Sequence, residues 1–151
     1  MNWDFLMDHR LHTTVLNAIE RLEIKVDIVD CLPEYADTAQ FCEHYGYPKE
    51  TSANTIIVAG KADPKRYAAC LIQATSRLDV NHTVRNLLGV RRASFATAQE
   101  TQILTGMAIG GVTIFGLPDA LPVYIDASLK ALDYLVIGAG TRQAKLIIHP
   151  T

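Results

Sequence analysis

The sequence predicts an α+β domain in which helices pack on a mixed, largely antiparallel sheet. Short apolar runs joined by tight turns carry the sheet: TIIVA, GKADP and RYAACLIQA follow one another, and YLVIG and KLIIH flank the turn around GAGTRQ. Helix-period stretches are short and do not alternate strictly with strands, which disfavours a doubly wound parallel sheet. The 151 residues, 49% hydrophobic and 20% charged, suit one domain over 1–151 with a sizeable core, and no linker, repeat or low-complexity segment divides them.

Each element has a local signal. In NWDFLMDHRLHTTVLNAIERL, residues Phe5, Leu6, Leu11, Val15, Leu16, Ile19 and Leu22 recur near helical spacing and predict an amphipathic first helix. IKVDIV, residues 24–29, alternates like a half-buried strand. Asp37 is placed to cap a helix through TAQFCEHYG, with Gly46 as its stop and Pro48 beyond. Runs 55–59 and 66–74 predict an antiparallel pair across GKADP. HTVRNLLG, residues 82–89, predicts a short helix ended by Gly89, and RRASFA a short strand. Thr97 with Glu100 makes a capping box for a helix ending near Thr105. LPVYID then predicts a strand, ASLKAL one or two helical turns, and YLVIG and KLIIH the last two strands.

Composition narrows the setting. Fourteen basic against 16 acidic residues give −2, which argues against an extended nucleic-acid footprint and leaves room for a small local one. Cys31, Cys42 and Cys70 form no CxxC and are odd in number, so neither a disulfide framework nor a zinc ribbon is expected, and a reducing cytoplasm fits best. MNWDFLMDHR has no apolar run of the signal-peptide kind, and no stretch reaches the length of a membrane span. The expectation is a cytoplasmic protein with no membrane or DNA partner.

One stretch is unusual. LTGMAIGGVTIFGLP, residues 104–118, holds Gly106, Gly110, Gly111 and Gly116 among apolar side chains and carries no charge. Bare backbone of this kind suits close approach by another group. Gly106 and Gly111 have the spacing of a phosphate loop, but Val112 stands where the lysine belongs. GAG at 138–140 lacks the third glycine at Gln143 and opens no helix to hold a pyrophosphate. His9 and His12 lack the glutamate and third ligand of a zinc site, Cys42 and His44 are two apart on a helix and face apart, and no serine has a GxSxG context. No metal, cofactor or protein nucleophile is therefore expected. Local structure accounts for several residues: Asp126 suits a helix N-cap, Gly106 a helix stop, and Gly138 and Gly140 a turn. The adjacent pair Gly110-Gly111, outside any hairpin signal, has no such account.

The same region resembles the YbaK/ProX family of aminoacyl-tRNA editing domains, which occur free-standing and with prolyl-tRNA synthetase. The family's TG, GGVSPFG, Asp-terminated strand and gaG turn correspond to Thr105-Gly106, Gly110-Gly111-Val112-Thr113-Ile114-Phe115-Gly116, Asp126 and Gly138-Ala139-Gly140, in order and at the family's spacing. Upstream, TSANTIIVAG resembles the strand around aKTLVV, RLDV the rldl segment, and RRASFATAQE the strand and helix before TG. The likeness covers roughly residues 24–149, leaving 1–23 as an N-terminal helix outside it.

The resemblance implies a trans-acting deacylase that hydrolyses the ester of a mischarged tRNA without a metal or cofactor. It implies contact with the tRNA acceptor end and association with an aminoacyl-tRNA synthetase. Asn54, Gly110, Gly111 and Asp126 are the implied catalytic residues; Thr105, Gly106, Val112, Thr113, Ile114, Phe115, Gly116 and Gly140 are the implied substrate-binding ones. Gly110 and Gly111 would offer backbone N–H groups to the ester carbonyl, Thr113 would orient a water, and apolar neighbours would sieve the amino acid by size. A side chain added at Gly111 is expected to block the pocket without collapsing the fold. Two positions depart from the family: its pocket lysine falls on Asn54, removing a positive charge, and its loop proline falls on Ile114. Loss of the lysine is also what a binding module that kept the fold without catalysis would display. Lys61, Lys65, Arg66, Arg91, Arg92 and Arg142 are the candidate RNA contacts, although Arg91 and Arg92 would face apart on a strand.

Overall fold

The computed structural model describes residues 10–150 and has an α+β architecture with two sheets in place of the single one expected. Strand β1 (Asp27–Asp30), β6 (Leu135–Gly138) and β7 (Ala144–Ile148) form an antiparallel sheet of order β1-β7-β6. Strands β2 (Ala53–Gly60), β3 (Arg66–Gln73), β4 (Ala93–Phe95) and β5 (Val123–Ile125) form the other, of order β4-β2-β3-β5. Only β3 and β5 run parallel within it. A parallel bridge between Ser52 and Val136 joins the sheets just before β2, so the first residues of β2 lie beside β6.

Helix α1 (Thr13–Arg21) is shorter than the spacing predicts. His12 is extended and caps it, its ring nitrogen accepting the Thr14 N–H at 3.3 Å. Residues 2–9 of the expected helix, His9 among them, lie outside the described residues. Val15, Leu16 and Ile19 of α1 pack against Leu135, Ile137 and Leu146, with Met107 and Phe115 of the glycine-rich loop completing the main core. Burial on this scale stabilises by roughly 1.5–3 kcal/mol per large aliphatic side chain.

Helix α2 (Thr38–Tyr45) covers the opposite face of the three-stranded sheet, with Phe41 and Cys42 against Val136. Gly46 ends it in the left-handed conformation, as expected. A π-type turn (Val80–Val84) runs into α3 (Arg85–Leu88) and packs Val80, Val84 and Leu88 on Val58, Ala68 and Cys70 of the four-stranded sheet. Helix α4 (Ala98–Thr105) has the full Thr97/Glu100 capping box and stops at Gly106. A 3-10 helix (Ala127–Ala131) follows β5. Among the described residues no helix is long and apolar enough to cross a membrane, and no cluster of His, Cys, Asp or Glu could hold a metal ion.

Candidate active site

A cavity of about 360 Å³ opens where the start of β2, the N-terminal end of α2 and the glycine-rich loop meet β6 and β7. That volume lies in the range of small-molecule sites. Ser52, Asn54, Thr55, Thr38 and Lys145 bring polar atoms to its lining, while Phe41, Val112, Val136 and Ile137 supply apolar surface and Phe95 and Ile109 are exposed at it.

Asn54 is half-buried on β2, and its Oδ1 accepts the Thr38 hydroxyl at 2.7 Å. Thr38 is the first residue of α2. Its neighbour Asp37 occupies the N-cap position without a side-chain cap bond, because the Asp37 carboxylate turns to Arg142 Nη1 at 3.3 Å. Thr55 Oγ1 is shielded from solvent and bonds to no group among the described residues.

The loop owes its path to two cations from the last hairpin. Arg142 Nη1 donates to the Ile109 carbonyl at 2.7 Å, and Lys145 Nζ donates to the Gly110 carbonyl at 2.8 Å. Across a planar trans peptide the N–H points opposite the C=O. Clamping the Ile109 carbonyl therefore turns the Gly110 N–H away from Arg142. Among the described residues the Gly110 and Val112 amides donate to no protein acceptor, and both residues line the cavity.

Gly111 differs from its expected role. Its N–H donates to the Ala108 carbonyl at 2.9 Å, its own carbonyl accepts from Gly140 N at 2.6 Å, and a Cβ on it would lie 2.2 Å from the Thr141 carbonyl oxygen. Its bareness lets two backbones touch, and its amide is spent internally. A Cβ on Gly138 would likewise meet the Val112 carbonyl oxygen at 2.4 Å, from the other side of the same contact.

The remaining expected residues support the loop from behind. Thr105 is buried and donates its hydroxyl to the Thr101 carbonyl at 2.8 Å while accepting the Met107 N–H, and Gly106 is the left-handed helix stop. Phe115 is in the main core, Ile114 packs against it, and Gly116 and Gly140 allow close approach of Thr14 and His12. Thr113 is fully buried with a hydroxyl that has no partner among the described residues, and it does not line the cavity. Asp126 also lies outside the lining. Its carboxylate accepts the Ser128 N–H at 3.0 Å as a helix cap, the local role that its place before ASLKAL predicts.

Lys145 is the residue that sequence reasoning missed. Its only signal is a lone cation in the apolar run AKLII, where strand alternation places it toward solvent. Both faces of β7 are covered, however, and Lys145 is 7% exposed, with Nζ 5.8 Å from the centre of the Phe41 ring. Burial pulls its ammonium below the usual lysine range, and Arg142 adds to the effect, while Cys31, Asp37 and Cys42 oppose it.

The RNA candidates divide. Arg142 is a structural clamp, since its Nε and Nη2 also hold the Pro33 carbonyl at 3.1 and 2.8 Å. Lys65 pairs with Glu100 and Arg66 caps the Leu88 carbonyl, both beside a separate groove. Lys61, Arg91 and Arg92 are exposed.

A family model described as an aminoacyl-tRNA editing domain matches residues 33–151. Among solved structures, a candidate trans-editing enzyme for prolyl tRNA synthetase is 25% identical with a TM-score of 0.74, over 91% of this chain and 85% of that one. A protein described only as hypothetical shares the fold at 23% identity and a TM-score of 0.80, over 91% of this chain and 89% of that one.

Proposed function

This chain belongs to the aminoacyl-tRNA editing domain family, and on that premise we propose that it is a trans-acting deacylase. It hydrolyses the ester between a wrongly attached amino acid and the 3′-terminal adenosine of tRNA. The observation that supports this reading best is the clamped loop: two consecutive carbonyls, Ile109 and Gly110, are held by Arg142 and Lys145, leaving the Gly110 and Val112 amides without protein acceptors beside the cavity.

In this reading those amides polarise the ester carbonyl and receive the oxyanion that forms when water attacks the carbonyl carbon. The bond to the ribose oxygen then breaks, the water proton passing through solvent or the neighbouring ribose hydroxyl to the leaving oxygen. Asn54, oriented by Thr38, positions the ester or the water with its side-chain amide. Val112, Val136 and Ile137 limit the size of the amino acid. The partner is the acceptor end alone, which a chain of net charge −2 can bind through few phosphate contacts.

A second reading, a module that binds the aminoacyl end or a synthetase without turnover, is supported by Asn54, which stands where the resemblance implies a family lysine. Incubation with tRNAs mischarged with small amino acids separates the two. Release of amino acid from one or a few esters is the expected result, and binding without release would support the module.

A further inference from the structure

Lys145 is a charge in search of a counterion. The ammonium has three donors, and among the described residues one is used, on the Gly110 carbonyl. The groups with electrostatic influence on it are Cys31, Arg142, Asp37 and Cys42, and among the described residues no carboxylate comes within ion-pair distance. Asp37, the acid among them, is already paired with Arg142. Buried charges are normally paired, because desolvation without a partner is costly. A lysine kept for packing alone would be better served by methionine, which fits the same space beside Phe41 with no charge to desolvate.

We propose that Lys145 is the anion receptor of the cavity, its ammonium receiving an anionic oxygen of the ligand from the β7 side. The inference rests on the reading of the cavity as the seat of the terminal aminoacyl-adenosine. It also gives the departure at Asn54 a physical meaning, since the cavity keeps a positive charge on a different strand. The anionic oxygen has two sources in such a ligand, the phosphate of the terminal nucleotide or a carboxylate on the amino acid. Either would satisfy a free donor of the ammonium and raise its depressed pKa.

The test compares affinities of wild type and Lys145→Met for two pairs of probes. One pair is AMP and adenosine; the other is the aspartyl and alanyl amides of 3′-amino-3′-deoxyadenosine, which cannot be hydrolysed as esters. Wild type is expected to favour the anionic member of one pair by about tenfold or more, as a charge-assisted hydrogen bond gives. Lys145→Met should lose that preference, its affinity for the anionic member falling further than that for the neutral member, which feels only the loss of the clamp on the Gly110 carbonyl. Preference for AMP assigns the phosphate, and preference for the aspartyl amide the side-chain carboxylate. A purely structural lysine would weaken both members of a pair equally.

Absence of any preference in wild type, or its survival in Lys145→Met, overturns the proposal. Should that variant not fold, Lys145→Arg is expected to keep the preference, and the Nζ resonance of wild-type Lys145 should move with the anionic probe and not with its neutral counterpart. An unmoved resonance overturns it equally. The deacylase reading fails separately: a protein that cleaves no ester but shows the Lys145-dependent preference is an anion-reading binder.

Discussion

Thr38 donates its hydroxyl to Asn54 Oδ1 at 2.7 Å across the edge of the cavity. That bond fixes the amide so that its oxygen faces α2, and among the described residues neither Nδ2 hydrogen has a protein acceptor. Asn54 therefore offers the cavity oriented donors without charge, while the charge itself comes from Lys145 on β7. In the proposed reading, position and charge, which the resemblance combines in one lysine, are divided here between two strands.

Gly111→Ala should cost stability rather than merely obstruct the pocket. The added Cβ would lie 2.2 Å from the Thr141 carbonyl oxygen and 2.9 Å from its nitrogen, so two backbone segments must part. A loss of about 1–3 kcal/mol is expected in urea unfolding, the usual range for overpacking. The sequence-based expectation is of a blocked pocket without collapse of the fold; the contact with Thr141 adds a stability cost to it. An unchanged unfolding midpoint would show that the two segments separate freely.

Arg142→Gln should act on the loop and not on RNA. It removes the donors that hold the Pro33 and Ile109 carbonyls and the partner of Asp37. Stability should fall by about 1–3 kcal/mol, as for charge-assisted bonds left unmade. The slope of log affinity for tRNA against log salt should stay as in wild type. A slope smaller by about one would place Arg142 on a phosphate.

Glu100 should give the protein an acid-sensitive component of stability. Tyr67, the Thr97 N–H and Lys65 hold its carboxylate, lowering its pKa from 4.5 to about 2. Those bonds stabilise the fold fully above pH 4.5 and are lost as pH falls toward 2. Glu100→Gln should therefore melt lower than wild type at neutral pH, with the gap closing across that window. A gap independent of pH would mean that the charge on Glu100 is immaterial.

Thr113→Val should stabilise the protein. The buried hydroxyl has no partner among the described residues, so an isosteric methyl removes a desolvated polar atom. A gain of about 1 kcal/mol corresponds to a melting increase of about 2–4 °C for a chain of this size. Unchanged ester hydrolysis in the variant would exclude Thr113 from orienting the attacking water, and a fall in turnover with a higher melting point would restore it to that role.

Local signals carried most of the fold. The Thr97/Glu100 capping box, the stops at Gly46, Gly89 and Gly106 and the β2–β3 hairpin are all encoded within a few residues of one another, where backbone sterics and short-range hydrogen bonds decide the outcome. The division into two sheets was not legible, because it depends on the Ser52–Val136 bridge between residues far apart in the chain. The loop was legible as a place of close approach, but not what approaches: Gly111 meets Thr141 of its own chain. Lys145 was hidden for a related reason. Period-2 alternation assigns it to a solvent face, and only the packing of α2 over β7 converts that face into a cavity wall.

The most direct test of the central claim is the rate of amino-acid release from a panel of mischarged tRNAs, measured for wild type and Asn54→Ala under identical conditions. Wild type should cleave one or a few small-amino-acid esters, and Asn54→Ala should be slower by about 10²-fold on those same esters, in the range lost when one oriented donor is removed. No release by folded wild type, or equal rates for the two proteins, would contradict a deacylase that works through Asn54.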